Sequence, residues 1–307
     1  MLEERTIQFR ALTPIWTGNA DRKSDQQTLA SGLIGSLRWW MEAIARGAGA
    51  DIPDPTEEHA TYDESKKPHG GLDPVSHIFG ATGWRRLFRL EVLECGTMKP
   101  LNTVSIAAGG PRGASRWYYP PPGARIGAFK LRLVTTAPEA QLDLIEGLLG
   151  FIAERGSLGA KGQLGCGVIE FSAKAGTREA LRTWCTGLGG AGRSGELPSL
   201  GNMFFARVQP KPGSAWQEET FWIKHSIRRA FADRNQRHSL MGTVAGAERI
   251  GAKIQMSLPY ISGAQKEIRV CGWVPDSANR PANAMAEIKS ALGRRNVLVD
   301  WQTGVRP

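Results

Sequence analysis

The order of elements in this sequence predicts an α+β protein of two ferredoxin-like (RRM-like) domains, each an antiparallel sheet with helices on one face. Three observations lead there. The first half reads strand, helix, strand, strand, helix, strand; the second half offers a similar order; and a Gly- and Ser-rich stretch, residues 186–196, lies between them. The expected domains are 1–185 and 197–307.

Thr6 to Ile15 alternates apolar and polar residues as a strand does, and stops at Pro14 and the turn residues Thr17-Gly18-Asn19. A polar loop with Asp21, Arg22, Lys23 and Asp25 follows. Ser31 is placed to cap a helix whose apolar positions are Leu33, Ile34, Leu37, Trp40, Met41 and Ile44, with Gly47 and Gly49 ending it. Residues 48–74 break the pattern with Asp51, Asp54, Glu57, Glu58, Asp63 and Glu64 and read as an acidic surface insertion in the first domain. Pro74 to Gly80 suits a short helical turn, Leu87–Leu93 and Ala128–Thr135 suit strands, and Glu139–Arg155 is an amphipathic helix. After the glycine-rich loop 156–167, Val168–Phe171 closes the first domain as a strand. The second domain is expected to hold a strand at Met203–Val208, a helix at Trp216–Ala232, strands at Lys253–Ile261 and Lys266–Val274, a helix at Ala282–Leu292 and a last strand at Val297–Trp301.

With 41% hydrophobic and 22% charged residues, the 307-residue chain can bury a core. Lysine and arginine total 39 against 29 acids, a net charge of +10 that favours phosphate backbones as partners. No apolar run reaches the ~20 residues of a membrane span, and Met1-Leu2-Glu3-Glu4-Arg5 does not open a signal peptide. A cytoplasmic protein with no membrane partner is expected. Cys95, Cys166, Cys185 and Cys271 are scattered, without a CxxC pair, so reduced and mostly buried thiols are expected, with no metal site and no cofactor.

The strongest local feature is Gly156-Ser157-Leu158-Gly159-Ala160-Lys161-Gly162-Gln163-Leu164-Gly165-Cys166-Gly167. Glycines permit positive φ and close approach, so successive N–H groups can face one anion, with Lys161 adding a charge. A strand follows it rather than a helix, which excludes a Walker A loop, and the order helix, loop, strand excludes a dinucleotide fingerprint. Gly159, Lys161, Gly162 and Gly165 are therefore candidate contacts to single-stranded RNA; a plain connecting loop is the alternative. Trp39 and Trp40 point about 100° apart on their helix, so one packs inward and the other sits at a domain edge or stacks on a base. Arg38 beside them is placed to reach a phosphate or an acid. Trp84-Arg85-Arg86 combines an aromatic ring with two cations, which stacking plus backbone neutralisation of a single strand needs; a solvated strand end is the alternative. Lys224, Arg228, Arg229, Arg234, Arg237 and His238 gather toward a helix C-terminus, where the helix dipole favours cations and where Arg228 and Arg229 offer a basic patch to RNA or a neighbouring subunit. No HExxH, GxSxG, DxD or deaminase pattern is present. A metal-free cleavage site would have to assemble from His77, His225 and His238, with Asp21 and Asp25 as loop carboxylates.

Leu12-Thr13-Pro14-Ile15-Trp16-Thr17-Gly18, followed by Ser31-Gly32-Leu33-Ile34-Gly35-Ser36-Leu37-Arg38-Trp39-Trp40, resembles the N-terminus of the RAMP superfamily of CRISPR proteins. More narrowly it resembles the first-numbered subunit of the type III-B RNA-targeting complex. Pro74 to Gly80 resembles that family's helix before the second strand, and Leu158 to Phe171 its glycine-rich loop. Arg38 matches the arginine of the family's LRWW helix and Lys161 a loop position that is often basic, whereas Arg85 and Arg86 match no motif of it. The resemblance implies two ferredoxin-like domains and a non-catalytic subunit at one end of a ribonucleoprotein, binding guide or target RNA beside other effector subunits in antiviral defence. A metal-independent ribonuclease that processes guide RNA, and a protein-interaction subunit without RNA contact, are the two alternatives.

Overall fold

The computed structural model describes residues 2–18, 28–54, 61–99, 104–106, 115–117, 124–137, 140–189, 195–213, 218–243, 249–276 and 282–307. In the first half, β1 (Glu3–Ile15) leads to α1 (Ala30–Gly47) and the short α2 (Pro74–Phe79), then β2 (Phe88–Met98), a small pair β3 (Val104–Ile106) and β4 (Ser115–Trp117), β5 (Arg125–Thr135), α3 (Ala140–Arg155) and β6 (Ile169–Glu170). The four long-sheet strands lie in the order β2-β5-β1-β6, all neighbours antiparallel. Counted along the chain this is 4-1-3-2, the ferredoxin-like arrangement, with α1 and α3 as its two crossovers. β1 shows why the sheet covers one side only: Ile7, Phe9 and Ala11 are buried while Thr6, Gln8 and Arg10 between them are exposed.

The second half repeats the plan. After α4 (Thr177–Leu188), the chain runs through β7 (Met203–Gln209), α5 (Glu219–Ala230), α6 (Arg234–Met241), β8 (Ile254–Met256), β9 (Tyr260–Ser262), β10 (Gln265–Trp273), α7 (Ala284–Arg295) and β11 (Val297–Thr303). Its sheet order β11-β7-β10-β8 is again 4-1-3-2, with β9 also paired to β10. The two expected ferredoxin-like folds are present.

The halves are packed against each other, and β7 shows how. Phe204, Ala206 and Val208 face a core with Ile223, Ile227 and Ile288 from α5 and α7. Met203 and Phe205, on the opposite face, join the core of the first half. There Trp40, Phe151 and Phe205 form a three-ring cluster, with centroid separations of 6.0 to 6.3 Å. The second sheet thus has helices on one face and the first half on the other.

Several boundaries differ from expectation. α1 begins at Ala30 and not after a Ser31 cap; the Leu29 N–H at its start donates instead to the Thr17 hydroxyl at 2.9 Å. α4 is an addition to the expected elements, although Leu181, Trp184, Cys185 and Leu188 keep helical spacing; its polar remainder hides one apolar stripe that lies on α3. Gly147 makes that approach possible, since a Cβ there would lie 2.2 Å from the Thr177 carbonyl oxygen. The expected strand 253–261 is split into β8 and β9 around Pro259, which has no N–H for the ladder. The expected helix 216–232 is succeeded by a separate α6, capped by Asp233, whose carboxylate accepts from the Gln236 N–H. Asp21, Asp25 and the core of the acidic insertion at 55–60 lie outside the described residues. The later part of that insertion is held by backbone bonds: the Tyr62 N–H donates to Thr82 O, the Asp63 N–H to Gly70 O.

Candidate nucleic-acid interface

The glycine-rich loop sits where the two halves meet. Its N–H groups are largely committed inside the protein: Leu158 donates to Gly167 O, Gly159 to the Ser36 hydroxyl, Ala160 to Trp16 O, Gly165 to Gly162 O, Gly167 to Pro14 O and Val168 to the Thr13 hydroxyl. An anion cradle made of successive free amides, expected from the sequence, is not what these residues form. The glycines have packing reasons instead. A Cβ on Gly159 would lie 2.8 Å from Trp16 O, on Gly162 2.6 Å from the Gln255 side chain, and on Gly165 2.6 Å from the Leu258 side chain. Gly165 also adopts φ +103°, which glycine tolerates best. Gln255 and Leu258 belong to the second half, so the loop joins the halves: Ser157 Oγ donates to Gln255 Oε1 at 2.8 Å and the Leu258 N–H to Gly165 O at 2.8 Å. Arg269 completes the joint, donating to Ile152 O and Gly156 O. Lys161 is half-buried, its Nζ 5.1 Å from the Trp16 ring centre.

Arg38 and the two tryptophans are likewise drawn into the fold. Arg38 Nε donates to Glu42 at 2.9 Å, Nη1 to Gly80 O at 2.7 Å and Nη2 to Ser76 Oγ at 3.0 Å. With all three nitrogens engaged, Arg38 fixes the C-terminal end of α2. Trp40 is the inward ring, 1% exposed, and donates to Ser157 O. Trp39 is the domain-edge ring: it meets Trp273 of β10, centroids 5.7 Å apart.

The end of α2 that Arg38 holds opens onto a groove of about 890 Å³ between the α2–β2 turn and the β2/β5 edge. Arg85, Arg86, Arg89 and Arg132 line it against two acids, Glu4 and Glu91. Glu91 is shared by Arg89, at 2.9 Å, and by Arg132, whose Nε donates at 2.7 Å, while Glu4 lies 3.8 Å from Arg132. Arg85 and Arg86 are exposed and have no carboxylate partner among the described residues; Arg86 Nε donates only to Phe88 O. Two cations are left uncompensated at the groove.

Trp84 borders the same groove and belongs to a column of rings that sequence reasoning did not find. Tyr62 stacks on Trp84 at 5.0 Å, Trp84 on His77 at 5.4 Å and His77 on His69 at 3.9 Å. Trp84 Nε1 also donates to His77 O. Burial first, then the His69 charge, pushes the His77 imidazole below its ordinary value. Four rings within 23 positions were the available signal, but Pro68, Gly70, Gly71 and Pro74 between them break the helix that their spacings of 7, 8 and 7 would otherwise suggest.

Lys161 and Arg228 do not line this groove. Arg228, on the last turn of α5, donates to Gly242 O, and Arg229 beside it is exposed. Among the other ionisable groups, His225 lies among Phe221 and Trp222 and His238 on α6, so the structure does not bring His77, His225 and His238 together in one ring cluster. Burial pushes the thiols of Cys166, Cys185 and Cys271 up to about 12. Among the described residues no group of three or more His, Cys, Asp or Glu side chains is placed to hold a metal ion, and no helix is long and apolar enough to cross a membrane.

A solved structure shares this architecture. The crystal structure of Cmr1 from Pyrococcus furiosus in its apo form is similar over 100% of this chain and 99% of that one, with a TM-score of 0.54 and 15% identity. A chain of a type IV-B CRISPR complex matches 56% of this chain and 91% of its own length at 19% identity and a TM-score of 0.37. A chain of the type III-B Cmr-beta bound to cognate target RNA matches 95% and 99% at 11% identity and a TM-score of 0.48. No curated protein sequence matches. The RAMP superfamily model matches residues 8–170, more than half of the chain, running from within β1 to the end of β6 and so including part or all of every strand of the first sheet; the chain belongs to the RAMP superfamily.

Proposed function

We propose that this chain is a non-catalytic, RNA-binding subunit of a type III-B CRISPR effector ribonucleoprotein, cytoplasmic, and seated at one end of the complex beside other effector subunits. The observation that carries the RNA contact is the groove at the α2–β2 turn, where Arg85 and Arg86 stand exposed and without carboxylates beside Trp84. Guanidinium groups neutralise backbone phosphates, a contact that binds single strands with little sequence preference, while Trp84, stacked between Tyr62 and His77, forms the wall of the groove. Superfamily membership and the full-length likeness of fold to Cmr1 support the assignment to such a complex.

The ring column supports the non-catalytic reading over a metal-independent ribonuclease. General acid–base cleavage needs two groups on opposite sides of a phosphate, whereas His69 and His77 are stacked face to face, 3.9 Å apart and 30° from parallel.

Anisotropy of a labelled single-stranded RNA, titrated with the full chain over a series of salt concentrations, tests the reading. The logarithm of affinity is expected to fall linearly with the logarithm of salt, and Arg85→Gln/Arg86→Gln to reduce that slope by about 1.4, at ~0.7 per phosphate. RNA recovered after incubation with and without EDTA is expected intact. Site-specific cuts that disappear in His77→Ala would replace this reading with the nuclease, and an absence of RNA affinity at low salt would leave only the protein-interaction role.

A further inference from the structure

The second half holds a cationic cluster built by two helices that reach across to each other's ends. Arg228, on the last turn of α5, donates from Nη1 to Gly242 O, the residue that ends α6, at 3.5 Å. Arg237, on α6, donates from Nη1 to Phe231 O at 3.2 Å and Ala232 O at 3.5 Å, the carbonyls just past α5. Each guanidinium is thereby oriented by the carbonyl end of the opposite helix, through one nitrogen, and keeps further N–H donors of its planar fork. Arg234 and His238 stand on α6 beside Arg237.

Carbonyl dipoles orient these cations but do not neutralise them. Among the described residues, no carboxylate lies within ion-pair distance of Arg228, Arg234 or Arg237, in contrast to the Arg38–Glu42, Arg5–Glu146 and Arg132–Glu91 pairs of the first half. The mutual influence of the cluster is repulsive throughout. Burial and then the Arg237 charge push Arg228 down from its ordinary value. Burial and the Arg228 charge push Lys224, one turn earlier on α5, down to about 8. Loss of hydration and then the charges of Arg234, Arg228 and Arg237 push His238 down. Half-buried like charges held together by the fold are unfavourable in the free protein, and a bound anion removes that cost.

We propose that Arg228 and Arg237 form a second phosphate-binding site, separate from the α2–β2 groove, that takes the backbone of the same single-stranded RNA. Two guanidinium groups from different helices, near enough for the charge of Arg237 to act on Arg228, each keep N–H donors for the oxygens of a phosphodiester, and exposed Arg229 and Arg234 extend the charge beyond the pair. A strand that occupies both sites spans the two ferredoxin-like halves, which the glycine-rich loop and the Trp39–Trp273 contact hold in fixed relation. This inference rests on the RNA-binding reading above but uses none of its residues.

The experiment uses the full chain and the same labelled RNA. Arg228→Gln/Arg237→Gln is expected to reduce the salt slope by about 1.4, and its combination with Arg85→Gln/Arg86→Gln by about 2.8, because the contacts are independent. Arg228→Lys/Arg237→Lys, which keeps both charges, is expected to retain most of the slope. Because the glutamine variant also loses two helix-end contacts, the wild-type protein gives a second readout: bound RNA is expected to protect Arg228 and Arg237 from phenylglyoxal, read by peptide mass. A wild-type slope in Arg228→Gln/Arg237→Gln, or equal modification with and without RNA, overturns the second site while a loss in Arg85→Gln/Arg86→Gln leaves the RNA-binding function standing. Protection by polyglutamate and not by RNA would also overturn it, in favour of an acidic protein partner. If the wild-type chain binds no RNA at low salt, the functional reading itself falls.

Discussion

The glycine-rich loop and the α2–β2 turn are two basic, glycine-containing connections in the same domain, and they do opposite things with their polar groups. In the loop, the N–H groups of Leu158, Gly159, Ala160, Gly165 and Gly167 all bond within the protein, and Lys161 lies over Trp16. In the turn, Arg85 and Arg86 remain exposed beside a groove with more arginines than acids. The loop is the more conspicuous motif, yet its glycines let two halves approach. The turn is inconspicuous, yet it leaves charge uncompensated. A binding surface is recognised by what it leaves unsatisfied, and a motif of small residues is as well suited to close packing as to holding an anion.

Substitutions that separate packing from binding sharpen this contrast. Gly165→Ala has the largest expected effect: a Cβ at φ +103° and 2.6 Å from Leu258 costs about 2–4 kcal/mol, read as a lowered denaturant midpoint. The RNA affinity of the folded fraction is expected to be unchanged; a normal midpoint with weakened RNA binding would return the loop to the role of cradle. Arg38→Ala comes next. It leaves Glu42, whose side chain is 5% exposed, with Arg46 at 3.6 Å as its cation among the described residues, and frees Gly80 O and Ser76. The loss is about 1–3 kcal/mol, since Arg38 itself is partly solvated, and urea unfolding at constant m-value measures it.

Lys161→Gln is smaller, about 0.5–1 kcal/mol for the contact with Trp16, together with up to ~0.7 of salt slope if its ammonium also meets a phosphate. An unaltered slope would confine Lys161 to packing. The smallest effect is on pH dependence. Because His77 is held below its ordinary value of 6.5, the folded state resists a proton that the unfolded chain accepts. Its contribution is therefore complete above about 6.5 and declines as the pH falls below that value. The difference in melting temperature between wild type and His77→Phe, which keeps a ring in the column, is expected to widen in favour of the variant from pH 7.5 to 5.5. A constant difference would show that the column does not oppose protonation.

Much of the fold is legible in the residue pattern, because a sheet face or helix stripe must be apolar wherever it is covered. β1, α1, α3 and α7 come directly from period-2 or helical spacing, and β7 and β10 from short apolar runs. α4 is written in the same code at Leu181, Trp184, Cys185 and Leu188 but carries too few apolar residues to stand out. The tryptophan pair illustrates both sides: neighbouring residues on a helix diverge, so one ring had to leave the core, but only the tertiary structure shows that Trp39 goes to Trp273 and not to solvent.

The sequence by itself determined a basic chain with two ferredoxin-like halves, since charge, periodicity and element order are properties of the linear chain, and its motifs carried a resemblance to the RAMP superfamily. Only the tertiary structure decided which cations are available. Glu42 claims Arg38, Glu91 claims Arg89 and Arg132, and no acid of the described residues reaches Arg85, Arg86, Arg228 or Arg237. These partners lie from two to more than 40 positions away along the chain, and ion pairing depends on distance in space, which spacing along the sequence does not set.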